Sequence, residues 1–433
     1  MRLTDDERAM LDGEQGDAVQ AAMDLLVRYG EVLGAERLVD TDNVCGANLF
    51  GSRHLSVCGL AGPDAGFSPN DAGFSEHSLD APAVLAIPPV KAQSYQLIGP
   101  MDTQKWEVQG LAPEERDRIL DSERYSADHG IHLLNTCTPY QVGNVPLKGE
   151  HCAWMESSAV VYVNSVLGAR TNVEGRESTG AAMLTGKIPY WGLHLEENRR
   201  GSHLVEVAMP VVSNRDWGLL GYWIGEQVPE EAIPVVDGIT GTPDLVRLKH
   251  FGAAAASSGG VEMYHMPGIT VEARTRAEAL AGRTPVEHLR YGPAQRSEAY
   301  EHLNATASDT SVDLVMIGCP HATLGQIRDV VRLLEGRRVH ADTELWVFTP
   351  RALRHVAEQN GYARALEDAG ALLMSDTCPA IGQFLPKGTR VIATDSAKQV
   401  HYLPAIMKVQ GWFGELAECV DAAVTGTWRG ALR

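Results

Sequence analysis

Three cysteines in this sequence share a local setting that suits chemistry. Cys319 stands in Gly318-Cys319-Pro320-His321 just past the apolar run 312–317, and Cys378 follows 371–374 in Asp376-Thr377-Cys378-Pro379. Cys137 follows 131–134 in Thr136-Cys137-Thr138-Pro139-Tyr140. Short apolar runs of this kind read as strands covered on both faces of a parallel sheet. Each cysteine therefore lies beyond a strand's carboxyl end, the edge where open α/β sheets collect their ligands. Proline directly after Cys319 and Cys378 pushes the cysteine toward extended backbone, which helps fix the direction of its sulfur.

Several chemistries are open to such thiols. Three thiolates can hold an iron–sulfur cluster and leave one iron without a protein ligand. An iron of that kind polarises the C–O bond of a substrate hydroxyl, while a base takes the proton from the neighbouring carbon, acidified by a carboxylate. Cys319 beside His321 could instead form a nucleophile and base. Scattered cysteines also serve as small buried hydrophobes. The three stand 182 and 59 residues apart, so only tertiary structure could join them.

Two further segments carry polar groups. Residues 390–393 read as a strand that delivers Thr394-Asp395-Ser396-Ala397-Lys398 to the same sheet edge. Residues 156–172 combine Glu156, Ser157, Ser158, Asn164, Arg170, Thr171 and Asn172, donors suited to a carboxylate, with helical spacing of Ala159, Val160, Val163, Val166 and Leu167. A helix over 157–167 is roughly 16 Å long, so its two ends cannot both touch one small ligand.

The elements that must position these groups follow from periodicity. Helical spacing predicts a helix over 324–334 stopped by Gly336, then a strand at 344–349 and a helix at 351–359. Residues 4–38 read as helical with glycine interruptions, 113–123 as a charged surface helix, and 415–424 as the last helix. Residues 190–207 read as a charged turn before a strand, and 211–224 and 232–237 as core. The stretch 253–260 is small and flexible by composition, and 274–292 is charged and helix-like. A lobe boundary near 270–290 gives two α/β lobes, 1–285 and 286–433. The turn-rich segment 40–80 carries Cys45, His54, Cys58 and His77, whose spacing matches no metal-ligand pattern.

Composition excludes several classes. The 433 residues carry 37 Lys and Arg against 56 Asp and Glu, a net charge of −19, which disfavours nucleic acid or an anionic membrane surface as the main partner. No signal-peptide core and no membrane-length apolar run is present, pointing to a cytoplasmic location. Seven scattered cysteines, an odd number, argue against a disulfide framework.

The ordered set Thr136-Cys137-Thr138-Pro139-Tyr140, Glu156-Ser157-Ser158 through Gly168-Ala169-Arg170-Thr171-Asn172, Gly318-Cys319-Pro320-His321, Asp376-Thr377-Cys378 and Thr394-Asp395-Ser396-Ala397-Lys398 resembles the large, catalytic subunit of the aconitase X family. The resemblance spans about residues 4–428. It implies a hydro-lyase with an aconitase-like multi-domain α/β core built on parallel sheets. It also implies Cys137, Cys319 and Cys378 as ligands of an iron–sulfur cluster or a mononuclear iron. In this superfamily the serine base rides on a swivelling domain. The sequence ends at Arg433 soon after the last helix, so that domain is expected on a small partner subunit. Ser396 and Lys398 are then substrate- or cluster-side groups. The family's substrates are cis-3-hydroxy-L-proline and mevalonate 5-phosphate. No unbroken Lys/Arg cluster stands near the loops, and Glu156 could accept a ring amine, so the sequence leans to hydroxyproline. A non-catalytic iron–sulfur sensor or scaffold subunit is the reading from another class.

Overall fold

The computed structural model describes residues 1–46 and 87–433. They form two compact units. Unit 1 is Met1–Asn135, Val145–Glu156 and Gly168–Arg199; unit 2 is Thr136–Asn144, Ser157–Leu167 and Arg200–Arg433. His54, Cys58 and His77 lie outside the described residues. No described helix is long and apolar enough to cross a membrane.

Unit 1 opens with two helices, Asp5–Leu11 and Asp17–Val32, where the sequence suggested one helical stretch. Gly13 and Gly16, both at positive φ, make the break. Thr4 caps the first helix: its hydroxyl accepts the Glu7 N–H at 3.3 Å, and the Glu7 carboxylate accepts the Thr4 N–H at 2.8 Å. Strands β1 (Leu38–Asp40), β2 (Val44–Gly46), β3 (Ser94–Gln96), β4 (Ile131–His132), β5 (Ala153–Trp154) and β6 (Lys187–Pro189) follow. Four of them form a parallel sheet in the order β4-β3-β2-β5, and β1 pairs β6 antiparallel. Met23, Leu25 and Leu26 pack in one core with Ala181, Ala182 and Met183 of the helix Arg176–Thr185. The charged helix foreseen at 113–123 is present and runs to Asp128.

Unit 2 contains two parallel sheets. The smaller joins β7 (His203–Val207), β8 (Pro234–Asp237) and β9 (Glu287–Tyr291) in the order β8-β7-β9. The larger joins β10 (Leu314–Ile317), β11 (Glu344–Thr349), β12 (Leu372–Ser375), β13 (Val391–Thr394) and β14 (Gln410–Phe413) in the order β12-β11-β10-β13-β14. Side chains alternate across this sheet. Val315, Ile317, Leu345 and Val347 meet the helices Leu324–Leu333 and Leu416–Thr425 through Ile327, Val330 and Val420. Leu314, Met316, Trp346 and Phe348 face Phe384 and Leu403 on the other side. Burial on both faces explains the continuous apolar runs, and each such side chain contributes about 1.5–3 kcal/mol.

Two sequence expectations are corrected here. Residues 253–260 are not flexible: they end the buried helix Leu245–Gly259. Their small side chains let the helix Asn214–Gln227 approach to backbone contact, since a methyl at Gly259 would overlap the Gly225 carbonyl. Residues 274–292 are not a helix but one helical turn, Arg276–Ala279, followed by β9. As an edge strand β9 keeps four of its five residues out of the core, so its charges are tolerated.

Candidate active site

Three loops with candidate residues leave the carboxyl edge of the large sheet. β10 leads to Cys319, β12 to Cys378 and β13 to Ser396, while Thr136–Asn144 brings Cys137 into the same unit. Each cysteine is preceded, one or two positions earlier, by a residue in the left-handed region: Asn135 at φ 48°, Gly318 at 103° and Asp376 at 70°. Gly318 needs to be glycine, because a Cβ there would overlap the Phe348 carbonyl. Asp376 holds the unfavourable conformation because its carboxylate accepts the Arg351 main-chain N–H at 3.0 Å and its Nε at 2.9 Å. The Cys319–Pro320 peptide is cis.

His321, fully buried, ties the loops together. Its main-chain N–H donates to the Cys137 sulfur at 3.3 Å, its Nδ1 lies 2.9 Å from Thr136 Oγ1, and its Nε2 lies 3.1 Å from the Thr377 carbonyl. Gln141 donates to the His321 carbonyl at 3.0 Å, and Tyr140 stacks on Tyr162 of the helix Ser157–Tyr162 at 3.9 Å. The imidazole of His321 is thus spent on positioning, and the nucleophile–base reading of Cys319 with His321 loses its base.

Lys249 lies under the same loops, 2% exposed. Its ammonium donates to the carbonyls of Pro320 at 3.3 Å and His321 at 2.8 Å and to Gln326 Oε1 at 2.7 Å. Burial pushes its pKa down to about 8, while Cys137, Asp395 and Cys319 act to raise it, so one cation senses two of the cysteines. Sequence reasoning missed Lys249, because one lysine in Leu-Lys-His-Phe looks like any surface charge. Lys249→Met should cost about 3–5 kcal/mol, since it strips three buried acceptors of their donor. Denaturant unfolding measures this, and a loss under about 1 kcal/mol would contradict it.

The described cysteines sort into two groups. Cys45, Cys152 and Cys419 are buried, and burial pushes their thiols well above the usual range, as expected for packing residues. Cys319 and Cys378 are partly exposed at the sheet edge, and Cys137 is 8% exposed. Among the described residues no group of three or more His, Cys, Asp or Glu side chains is arranged as around a metal ion. Thr377 Oγ1 and both oxygens of Asp395, at the same edge, are buried without a hydrogen-bond partner. Polar atoms left open at that edge suit a polar guest, and three loop thiols are the donor type an iron–sulfur group takes.

The remaining sequence candidates divide between the units. In unit 2, Ser396 caps the helix Ala397–Met407 by accepting the Gln399 N–H at 3.1 Å, with Lys398 in its first turn. Ser157 and Ser158 begin the helix Ser157–Tyr162, which continues as a π-turn over Val163–Leu167, a distortion frequent at functional sites. Within that turn Asn164 donates to the Glu262 carbonyl at 3.1 Å. In unit 1, Thr171 Oγ1 accepts the Trp154 N–H at 3.0 Å, and Asn172 Oδ1 accepts the Leu193 N–H at 2.8 Å. Glu156, also in unit 1, is half-buried.

Arg170 belongs to a basic cluster in unit 1 that no local pattern reveals. It donates to the His194 carbonyl at 3.0 Å and pairs with Glu196. Arg37 lies 3.9 Å above the Tyr190 ring, with His151 edge-on to the same ring. His151 and His194 meet Nδ1 to Nδ1 at 3.0 Å. Burial, then His151, Arg199 and Arg170, push His194 down to about 3. His194 Nε2 is buried without a partner.

Family models of aconitase X match residues 1–197 (first domain), 201–301 (second domain) and 312–425 (third domain). The chain is 39% identical to the phosphomevalonate dehydratase large subunit of Methanothermobacter thermautotrophicus, covering 92% of this chain and 93% of that one. It is 34% identical to the corresponding subunit of Methanocaldococcus jannaschii, covering 96% and 99%. It is also 34% identical to cis-3-hydroxy-L-proline dehydratase of Pseudomonas aeruginosa, covering 98% of this chain and 70% of the relative. The crystal structure of Thermococcus kodakaraensis aconitase X in its holo-form superposes with a TM-score of 0.81 at 28% identity, covering 98% and 100%. A mixed α/β hydro-lyase is the class these matches define. The chain belongs to the aconitase X family.

Proposed function

We propose that this chain is the large subunit of a dehydratase that removes water from a small β-hydroxy carboxylate. The observation that carries the reading is the stitching of three cysteine loops by His321 at one sheet edge. Cys137, Cys319 and Cys378 would hold the iron–sulfur group. When bound, that group supplies a Lewis acid for the departing hydroxyl. The chain's own part is to hold the thiols still through His321 and Lys249, to exclude water by burying the loops, and to orient the carboxylate. Ser157, Ser158 and the Ser396–Lys398 turn are donors for that carboxylate, placed at helix starts where amide dipoles favour anions. The proton on the neighbouring carbon goes to a serine base on a small partner subunit, a reading supported by relatives named as large subunits.

Relatives named for each activity leave two candidate substrates, mevalonate 5-phosphate and cis-3-hydroxy-L-proline. Glu156, next to Ser157 in the sequence, offers an acceptor for a ring amine and favours cis-3-hydroxy-L-proline. Co-expression with the small subunit under anaerobic conditions, followed by assay of both compounds, decides between them. Turnover of hydroxyproline alone would remove the phosphate reading, and turnover of the phosphorylated compound alone would remove the hydroxyproline reading. A full cluster with no turnover of either would favour a sensor or scaffold.

A further inference from the structure

We propose that Asp395 is a catalytic residue of this chain, its carboxyl group giving the leaving hydroxyl the proton that turns it into water. The proposal rests on the dehydratase reading above and adds to it a proton donor supplied by the large subunit.

Position comes first. Asp395 stands one residue past β13, which lies beside β10 in parallel register with Thr394 opposite Met316, so it reaches the edge from which Cys319 departs. Its residue is 3% exposed, and neither carboxyl oxygen reaches a donor on another residue. Asp376, equally buried at the same edge, has both oxygens engaged by Arg351. Asp216 in this unit is likewise held by Arg296 at 2.8 Å. A carboxyl group sealed from water and left open on both oxygens is costly unless something outside the chain completes it.

Burial, working against the pull of Lys249, keeps this group neutral enough to donate. Lys249 faces it from the helix Leu245–Gly259, and Glu415 and Cys419 from the start of the last helix. Burial pushes Asp395 up to about 7; Lys249 pulls it down and Glu415 pushes it further up. A proton donor is most effective with a pKa near the working pH. Lys249 responds to Asp395 as well as to Cys137 and Cys319, so one buried cation links the carboxyl group to two of the cysteine loops.

The step balances. The C–O bond breaks with its electron pair on oxygen, that oxygen takes the Asp395 proton, and water departs. The base removes the proton from the adjacent carbon, and the C–H pair becomes the double bond. The Asp395 carboxylate regains its proton from solvent before the next turnover.

The test is Asp395→Asn in the assembled large–small enzyme. Turnover should fall about 10²-fold or more with KM nearly unchanged and with iron and sulfide per chain equal to wild type. Asp395→Glu should recover part of the rate, and the alkaline fall of the wild-type kcat profile should vanish in the residual Asn activity. Independently of turnover, the metal-free chain at neutral pH should show the infrared carbonyl band of a protonated carboxylic acid that Asp395→Asn removes. A turnover within threefold of wild type, loss of iron in the Asn variant, or no such band overturns the assignment. If the wild-type enzyme itself dehydrates neither candidate, the parent reading has failed and this one falls with it.

Discussion

Cys319→Ser should leave a folded chain whose dehydratase activity is lower by about three orders of magnitude or more, because it removes one holder of the Lewis-acid group. Iron content should fall with it. Cys319 is partly exposed and outside both layers of the large sheet, so unfolding free energy should move by no more than about 1 kcal/mol. Cys419→Ser is the opposite case. That thiol is fully buried among Val420, Ala422 and Ala423, and a hydroxyl there should cost about 1–3 kcal/mol while iron and turnover per folded chain stay near wild type. Iron analysis beside denaturant melts on the two variants separates the roles. Retained iron and turnover in Cys319→Ser would remove that residue from the ligand set.

His321→Ala is expected to do the greater structural damage. It opens a cavity where both ring nitrogens were bonded, leaving Thr136 and the Thr377 carbonyl short of a partner. The loss should be about 3–5 kcal/mol, a fall of roughly 3–6 °C in melting temperature at this size. Cys137, freed of the constraint on its loop, should alkylate faster in the metal-free chain. His321→Asn, which keeps a polar atom near one position, should recover part of the stability. A melting temperature within 2 °C or so of wild type, within the scatter of ordinary substitutions, would mean that the loops do not depend on this ring.

Much of unit 2 could be read from the sequence because its signals are local. Residues 312–317, 344–349, 371–374 and 390–393 appear as β10 to β13 within two residues, since a strand buried on both faces must be apolar throughout. The helix at 324 begins where Thr323 accepts the Gln326 N–H, a cap within reach of sequence inspection. What escaped was non-local. Lys249 meets Pro320 and His321 across more than seventy residues, and Arg37, Arg170 and His194 gather from three separated segments. The alanines of 253–256 misled because small residues serve close helix contact as readily as flexibility, and only the partner helix shows which. The left-handed residues before each cysteine carry a weak local signal, in that Asn, Gly and Asp are the types that tolerate this backbone.

The bond between Thr136 and His321 joins positions 185 residues apart. During synthesis Cys137 therefore leaves the ribosome long before the segment that holds it exists, and β12 with Cys378 comes later still. Such long-range closure is slow to form and cannot be rehearsed by a nascent fragment. Any cluster that these loops would hold is thus to be loaded into the finished chain, and truncated products should emerge unable to accept it.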